Sequence, residues 1–303
     1  MAAPATSLSA VEAYQPRRAA RVGHIDGYRG RLGVTRWGPD SDDPVLLLHG
    51  WMDTGAAMQL LVDCLPGHWS LVALDWAGYG GSDSRQSYLM PEYLADLQCA
   101  LHQLAPRKPV RLIGHSLGGT VAAIWAGLRP ERTRWLVSLE GLGMGTLSAE
   151  EIPPRISEWL GTLLDPPPRR SFSSVEQLVT ALLRRNPRLP PSHALFLARV
   201  WSRPVAGGIE MLADERHQGR QPFRYSRAEM EACWRQISTP ALLLYGRESD
   251  YMRLFGDEQV VQRWRELVPH SQIAAIEAAA HMLQYEQPER VARHIVEFAG
   301  ALS

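Results

Sequence analysis

The sequence predicts an α/β protein with a mostly parallel central sheet, helices on both faces of the sheet, and an α-helical insertion. Three observations predict it. Strand-like and helix-like segments alternate along the chain, the pattern of parallel strands joined by crossover helices. Pro44-Val45-Leu46-Leu47-Leu48 and Ala241-Leu242-Leu243-Leu244-Tyr245-Gly246 read as buried strands. Between residues 141 and 237 the alternation stops, and prolines cluster at Pro153-Pro154, Pro166-Pro167-Pro168 and Pro190-Pro191.

In order, residues 31–37 read as an edge strand, followed by strands at 45–48 and 70–74. A glycine-rich loop runs from Asp75 to Asp83, and residues 93–104 form an amphipathic helix. Val110-Arg111-Leu112-Ile113 is the next strand, leading into a helix at 120–128 and a strand at 135–139. The proline-broken stretch carries helices at 156–164, 175–185 and 192–200. Strands at 241–246 and 271–276 complete the sheet, and Pro288 opens a final helix reaching residue 302. The resulting division is a disordered leader at 1–21, a core at 22–140 and 238–303, and a helical cap at 141–237. Within the cap, Trp159, Phe172, Phe196, Trp201 and Met211 are candidates to line an apolar pocket, with packing of the cap's own core as the alternative for at least half of them.

Composition narrows the partners. The chain has 303 residues, enough for one large core plus an insertion, and 45% of them are hydrophobic. Lys+Arg and Asp+Glu both number 32, so no net charge draws it to nucleic acid or an anionic membrane. Cys64, Cys99 and Cys233 show neither metal-ligand spacing nor a paired disulfide set, which fits a reducing compartment. Residues 1–21 lack the apolar core of a signal peptide, and no window is apolar enough to span a bilayer. The expected location is cytoplasmic, with no metal and no organic cofactor. Oligomeric state stays open between monomer and homo-oligomer.

The chemistry centres on Gly114-His115-Ser116-Leu117-Gly118-Gly119, placed between a strand and a helix. A serine hydroxyl is a weak nucleophile unless a sharp turn exposes it beside a base, and so crowded a turn needs small flanking residues. Gly114 and Gly118 supply them, and the Leu117 amide at the helix start can donate to a developing oxyanion. A base must come from elsewhere. His281, in the loop between the last strand and the last helix, is the candidate; His115, beside the serine, points away in such a turn and reads as packing. For the acid that orients the base, Asp250 after the strand at 241–246 is preferred, with Glu140 after the strand at 135–139 and Glu248 as alternatives.

His49-Gly50-Trp51, the Asp75–Asp83 loop, the Gly-His-Ser-Leu-Gly-Gly run and His281, in this order, resemble the α/β-hydrolase superfamily from about residue 31 to 298. Within it, His-Gly-Trp-Met-Asp at 49–53, Leu-Glu-Gly-Leu-Gly at 139–143, and the stretches 213–216, 223–225 and 233–237 are similar to the serine hydrolase-like proteins. The resemblance implies a second oxyanion amide at Trp51 or Met52, a small-molecule acyl substrate, and esterase-type hydrolysis through an acyl-enzyme. Alternatives on the same residues are a thioesterase, amidase or C–C bond hydrolase, a cofactor-free peroxidase or oxygenase, and a non-catalytic binder. A serine at position 116 argues against dehalogenase or epoxide hydrolase chemistry, which needs a carboxylate there. The loop at 246–250 departs from the family's commoner spacing by one residue.

Overall fold

The computed structural model describes residues 11–143, 145–254 and 258–302. Its main sheet contains β1 (Arg21–Asp26), β2 (Arg31–Trp37), β3 (Val45–Leu48), β4 (Leu71–Leu74), β5 (Val110–His115), β6 (Thr133–Leu139), β10 (Ala241–Gly246) and β11 (Gln272–Ile276). Their spatial order is β1-β2-β4-β3-β5-β6-β10-β11. β2 is antiparallel to both neighbours, and every pair from β4 across to β11 is parallel.

The buried runs divide their side chains between two cores with the two-residue period of a strand. On one face, Leu46, Leu48, Val72, Leu74, Leu112 and Leu243 pack under α2 (Met90–Leu104), α3 (Leu117–Leu128) and α9 (Glu258–Leu267). On the other, Val45, Leu47, Leu71, Ala73, Ile113 and Leu244 pack against α1 (Gln59–Val62), α10 (Leu283–Glu286) and α11 (Pro288–Gly300). Covering both faces is what makes these strands apolar at every position rather than at alternate ones. The helices at 93–104 and 120–128 start three residues earlier than their periodicity indicates, at Met90 and Leu117.

Residues 141–237 hold α4 (Ile152–Leu164), α5 (Val175–Arg185), α6 (Pro191–Val200) and α7 (Arg227–Trp234). They also hold an antiparallel sheet in the order β7-β9-β8, made of β7 (Ser171–Phe172), β8 (Ser202–Val205) and β9 (Gly208–Met211). The insertion is therefore not wholly helical. Strands of two to four residues are too short to show a period, and Gly207 (φ 83°) turns β8 back on β9. Phe196, Trp201 and Met211 are buried in the insertion's own cluster, with Phe172 packed against it. Ala57, Leu60 and Tyr285 of the main body share that cluster, so insertion and body have a common apolar seam. Trp159 lies apart, in a cleft with Gln86, Tyr88 and Arg220.

The leader expected at 1–21 is only partly within the described residues, which start at residue 11, and what is described is docked. The Asp63 carboxylate accepts from Tyr14 Oη (2.8 Å) and from the amides of Arg17 (2.9 Å) and Arg18 (3.0 Å). Tyr14 also donates its amide to the Ser192 carbonyl in α6 and meets His193 and Phe196 edge-on. Composition hid this because the anchor is one buried carboxylate that gathers backbone amides.

Candidate active site

β5 ends in a turn that only small residues can flank. Ser116 has φ 51° and ψ −113°, a conformation costing a non-glycine residue about 1–3 kcal/mol. A Cβ on Gly114 would lie 2.5 Å from the Gly118 backbone, and one on Gly118 would lie 2.2 Å from the Leu48 carbonyl oxygen. Absence of those carbons lets α3 start directly at the serine and close against β3. The Ser116 amide is fixed by the Leu139 carbonyl at 2.9 Å.

His281 reaches this serine from the loop after β11. Its Nε2 lies 3.0 Å from Ser116 Oγ and its Nδ1 lies 2.6 Å from Glu140 Oε2. A carboxylate can only accept, so Nδ1 carries the proton and Nε2 is free to accept from the serine hydroxyl. Glu140 is completely buried at the end of β6, with φ 51°. Its Oε1 accepts from the Gly246 amide (2.7 Å) and its Oε2 also accepts from Ser249 Oγ (2.8 Å). Three donors thus compensate the cost of burying its charge.

This corrects the choice of Asp250. Its side chain is 90% exposed and paired with Arg253 at 2.9 Å, not with His281. β10 ends at Gly246, and its loop turns back through Ser249, so that Ser249 rather than Asp250 faces the site. Glu248 is also excluded from this position, because it pairs with Arg188 at the surface. β6 and β10 are adjacent parallel strands, and either end could have supplied a carboxylate to His281.

The loop carrying His281 is held by backbone bonds. Arg247 N donates to Ile276 O and Glu248 N to Ala279 O, joining the exits of β10 and β11. Glu286 Oε2 accepts from the Ala280 amide at 2.5 Å; burial raises this carboxyl's pKa. His115 Nε2 donates to the His281 carbonyl at 2.8 Å. Burial first, then the nearby His281, pushes His115 well below the ordinary histidine range, so it serves as a neutral prop and not as the base. Tyr251 has its ring centroid 4.4 Å from that of His281 and donates its hydroxyl to the Gly143 carbonyl. No local motif marked it, because it belongs to the short α8 (Asp250–Leu254) that follows the β10 loop.

The turn after β3 lies alongside. A Cβ at Gly50 would come within 3.4 Å of Ser116 Cβ. His49 Nε2 accepts from the Trp76 amide (3.1 Å) and its Nδ1 donates to Gly50 O (2.7 Å), while burial lowers its pKa to about 4. It is a neutral strut that fixes the turn. The Met52 amide is directed at Tyr79 Oη (3.4 Å), whereas the Trp51 amide has no protein acceptor among the described residues. Leu117 opens α3, where the first amides have no intrahelical carbonyl to meet. The amides of Trp51 and Leu117 thus remain able to donate.

The 141–237 insertion is bonded to the same edge. Trp51 Nε1 donates to the His217 carbonyl at 3.0 Å, and the His217 ring stacks between Tyr79 and Tyr88 with centroids 3.9 and 3.7 Å away. Gly80 N donates to Leu212 O and Asp214 N to Gly78 O. Asp53 is buried, accepting from Trp201 Nε1 and Tyr285 Oη at 2.7 Å each. Among the described residues no cluster of three or more His, Cys, Asp or Glu could hold a metal, all three cysteines are free, and no helix is long and apolar enough to cross a membrane.

Comparison with known proteins places the fold. Residues 43–288 match the family model described as alpha/beta hydrolase fold. A serine hydrolase-like protein of Danio rerio is 38% identical over 130 residues, which is 42% of this chain and 40% of that relative's length. A pimeloyl-acyl-carrier-protein methyl ester esterase of Yersinia enterocolitica is 27% identical over 267 residues, 86% of this chain and 94% of that one. Among solved structures, a hypothetical protein from Pseudomonas aeruginosa PAO1 aligns with a TM-score of 0.81 at 27% identity, covering 92% of this chain and 99% of that one.

Proposed function

The chain belongs to the alpha/beta hydrolase fold family, and from that membership we propose that it is a serine hydrolase cleaving acyl esters through a covalent acyl-enzyme. The observation that carries the reading is the unbroken relay from Glu140 through both nitrogens of His281 to Ser116 Oγ, with bonds of 2.6 and 3.0 Å. In the first step Oγ attacks the ester carbonyl carbon while His281 Nε2 takes the hydroxyl proton. Negative charge develops on the carbonyl oxygen, facing the Trp51 and Leu117 amides; each such donor typically contributes about 2.7–4 kcal/mol. Glu140 stays ionised and stabilises the imidazolium. His281 then protonates the departing alcohol. In the second step it removes a proton from water, and the resulting attack on the acyl carbon releases the acid and restores Ser116.

Ester cleavage is preferred over the other acyl transfers because the Yersinia relative, matched over most of both chains, is named for that reaction. The insertion, bonded to the loops around Ser116, acts as the cap that sets acyl size. Ser116→Ala should lower kcat for 4-nitrophenyl butyrate by about 10⁴-fold or more and abolish labelling by a fluorophosphonate, with the melting temperature retained. Undiminished turnover in this variant would refute the assignment.

A further inference from the structure

The His281 side chain is 31% exposed, so core packing does not by itself fix its orientation. Its hydrogen bonds to Glu140 and Ser116 leave from the two ring nitrogens, in the plane of the imidazole. A ring held at those two points can still tilt about the line joining them. What lies against its face therefore decides whether Nε2 stays aimed at the serine.

Two aromatic side chains meet that ring. His115 stands at 45° to it with centroids 4.9 Å apart, and its hydrogen bond goes to the His281 carbonyl. Tyr251 lies closer and flatter, at 4.4 Å and 33°. Its far end is tethered, the hydroxyl donating to the Gly143 carbonyl. Burial, then the charge of Glu140, raise the pKa of this hydroxyl, so it remains a donor. Gly143 donates its own amide to Thr120 Oγ1 at 3.1 Å, and Thr120 Oγ1 donates to the Ser116 carbonyl at 3.1 Å. These contacts close a circuit from Ser116 through Thr120, Gly143 and Tyr251 to His281, and back to Ser116 Oγ at 3.0 Å. Gly143 has little room to shift: its φ is 76°, and a Cβ there would lie 2.4 Å from Met230 Sδ. Either side of Tyr251, Ser249 Oγ is bonded to Glu140 and Met252 is buried in the core.

We propose that Tyr251 is a positioning residue for His281. Its ring, tied to the serine turn through Gly143 and Thr120, holds the imidazole in the one plane that serves Ser116 and Glu140 together. The loop after β10 supplies no acid, but it supports both partners of the serine, Ser249 on Glu140 and Tyr251 on His281. An aromatic face also attracts a cation, so the same contact favours the imidazolium formed when Nε2 takes the serine proton. This inference rests on the serine hydrolase reading and adds to it a residue that acts through the base.

Tyr251→Leu removes the ring and Tyr251→Phe keeps it. With 4-nitrophenyl butyrate, Tyr251→Leu should lower kcat about ten-fold or more while KM stays within about two-fold, because a misaimed base slows chemistry without weakening binding. Tyr251→Phe should keep kcat within about three-fold of the parent. Tyr251→Met, whose flexible side chain fills irregular gaps, replaces the leucine variant if that one fails to fold. A leucine variant with parent kcat overturns the proposal. A rise in KM alone would make Tyr251 a wall of the substrate site, and equal losses in both variants would assign the effect to the hydroxyl; either result overturns it too. A second readout needs no turnover. In protein carrying ¹³C-labelled histidine, relaxation of the His281 Cε1–H group should show a ring that loosens in Tyr251→Leu and stays rigid in Tyr251→Phe. An equally rigid ring in the leucine variant overturns the proposal. A parent protein that cleaves no ester, with the ring loosened as expected, would overturn the hydrolase reading and leave the support of His281 standing.

Discussion

At the scale of the residue, Glu140 and Asp250 separate two functions that the primary structure cannot. Glu140 has no exposed surface and accepts from His281, Ser249 and Gly246, while Asp250 faces solvent against Arg253. Glu140→Gln would leave the hydrogen-bonding shape but favour the wrong imidazole tautomer, so kcat should fall by about 10³–10⁴-fold. Asp250→Asn should stay near the parent rate, and steady-state kinetics on one ester reads both. Comparable losses in the two variants would contradict the geometry. Ser116 and His281 were legible because each is marked by neighbours in sequence: glycines around one, a final strand and a proline-opened helix around the other. The acid was not, because either of two adjacent strands can present a carboxylate to one imidazole, and only the turn after Gly246 decides between them.

At the scale of the element, the close approach of α3 to β3 is the fold's tightest constraint near the serine. Gly118→Ala would drive a methyl against the Leu48 and His49 carbonyl oxygens, both backbone atoms that cannot rotate away. Such overpacking typically costs about 1–3 kcal/mol, so the variant should melt several degrees lower. Its activity should drop further than the lost stability explains, because the displaced helix carries the Leu117 amide; calorimetry and kinetics on the same sample separate the two. Several of the elements that escaped sequence reading share a cause, α7 and α9 with their eight and ten residues excepted. β1, β7, β8 and β9 are short or exposed, and α1 is a single turn, so none repeats its pattern often enough to reveal a period. The buried strands needed no period, since both faces are covered and apolarity alone marks them.

At the scale of the whole molecule, cap and body meet at Asp53. Burial raises its carboxyl to about 7, despite the hydrogen bonds from Tyr285, Thr54 and Trp201 that lower it. A folded pKa above the ordinary 3.8 means that the stabilising contribution is complete below about 3.8 and is lost as pH rises through about 7. Buried His49 and His217, lowered to about 4 and about 3, act oppositely and weaken the fold as pH falls below the ordinary histidine value. They are common to parent and Asp53→Asn proteins and cancel in the comparison. Moving from pH 8 to pH 5 should therefore raise the parent's melting temperature relative to Asp53→Asn by about 2–4 °C or more. Parallel curves would show that Asp53 does not titrate in this range. The position of Glu140 has a separate corollary for anyone exchanging lids between relatives. The buried acid immediately precedes the insertion, and a Cβ on Gly141 would strike Gly119 at 2.3 Å. A transplanted lid must therefore be spliced beyond Gly143, whereas the short segment directly after Ser249 holds no member of the proposed Glu140–His281–Ser116 relay and can accept foreign sequence, provided that Tyr251 keeps its place against the imidazole and Met252 its place in the core.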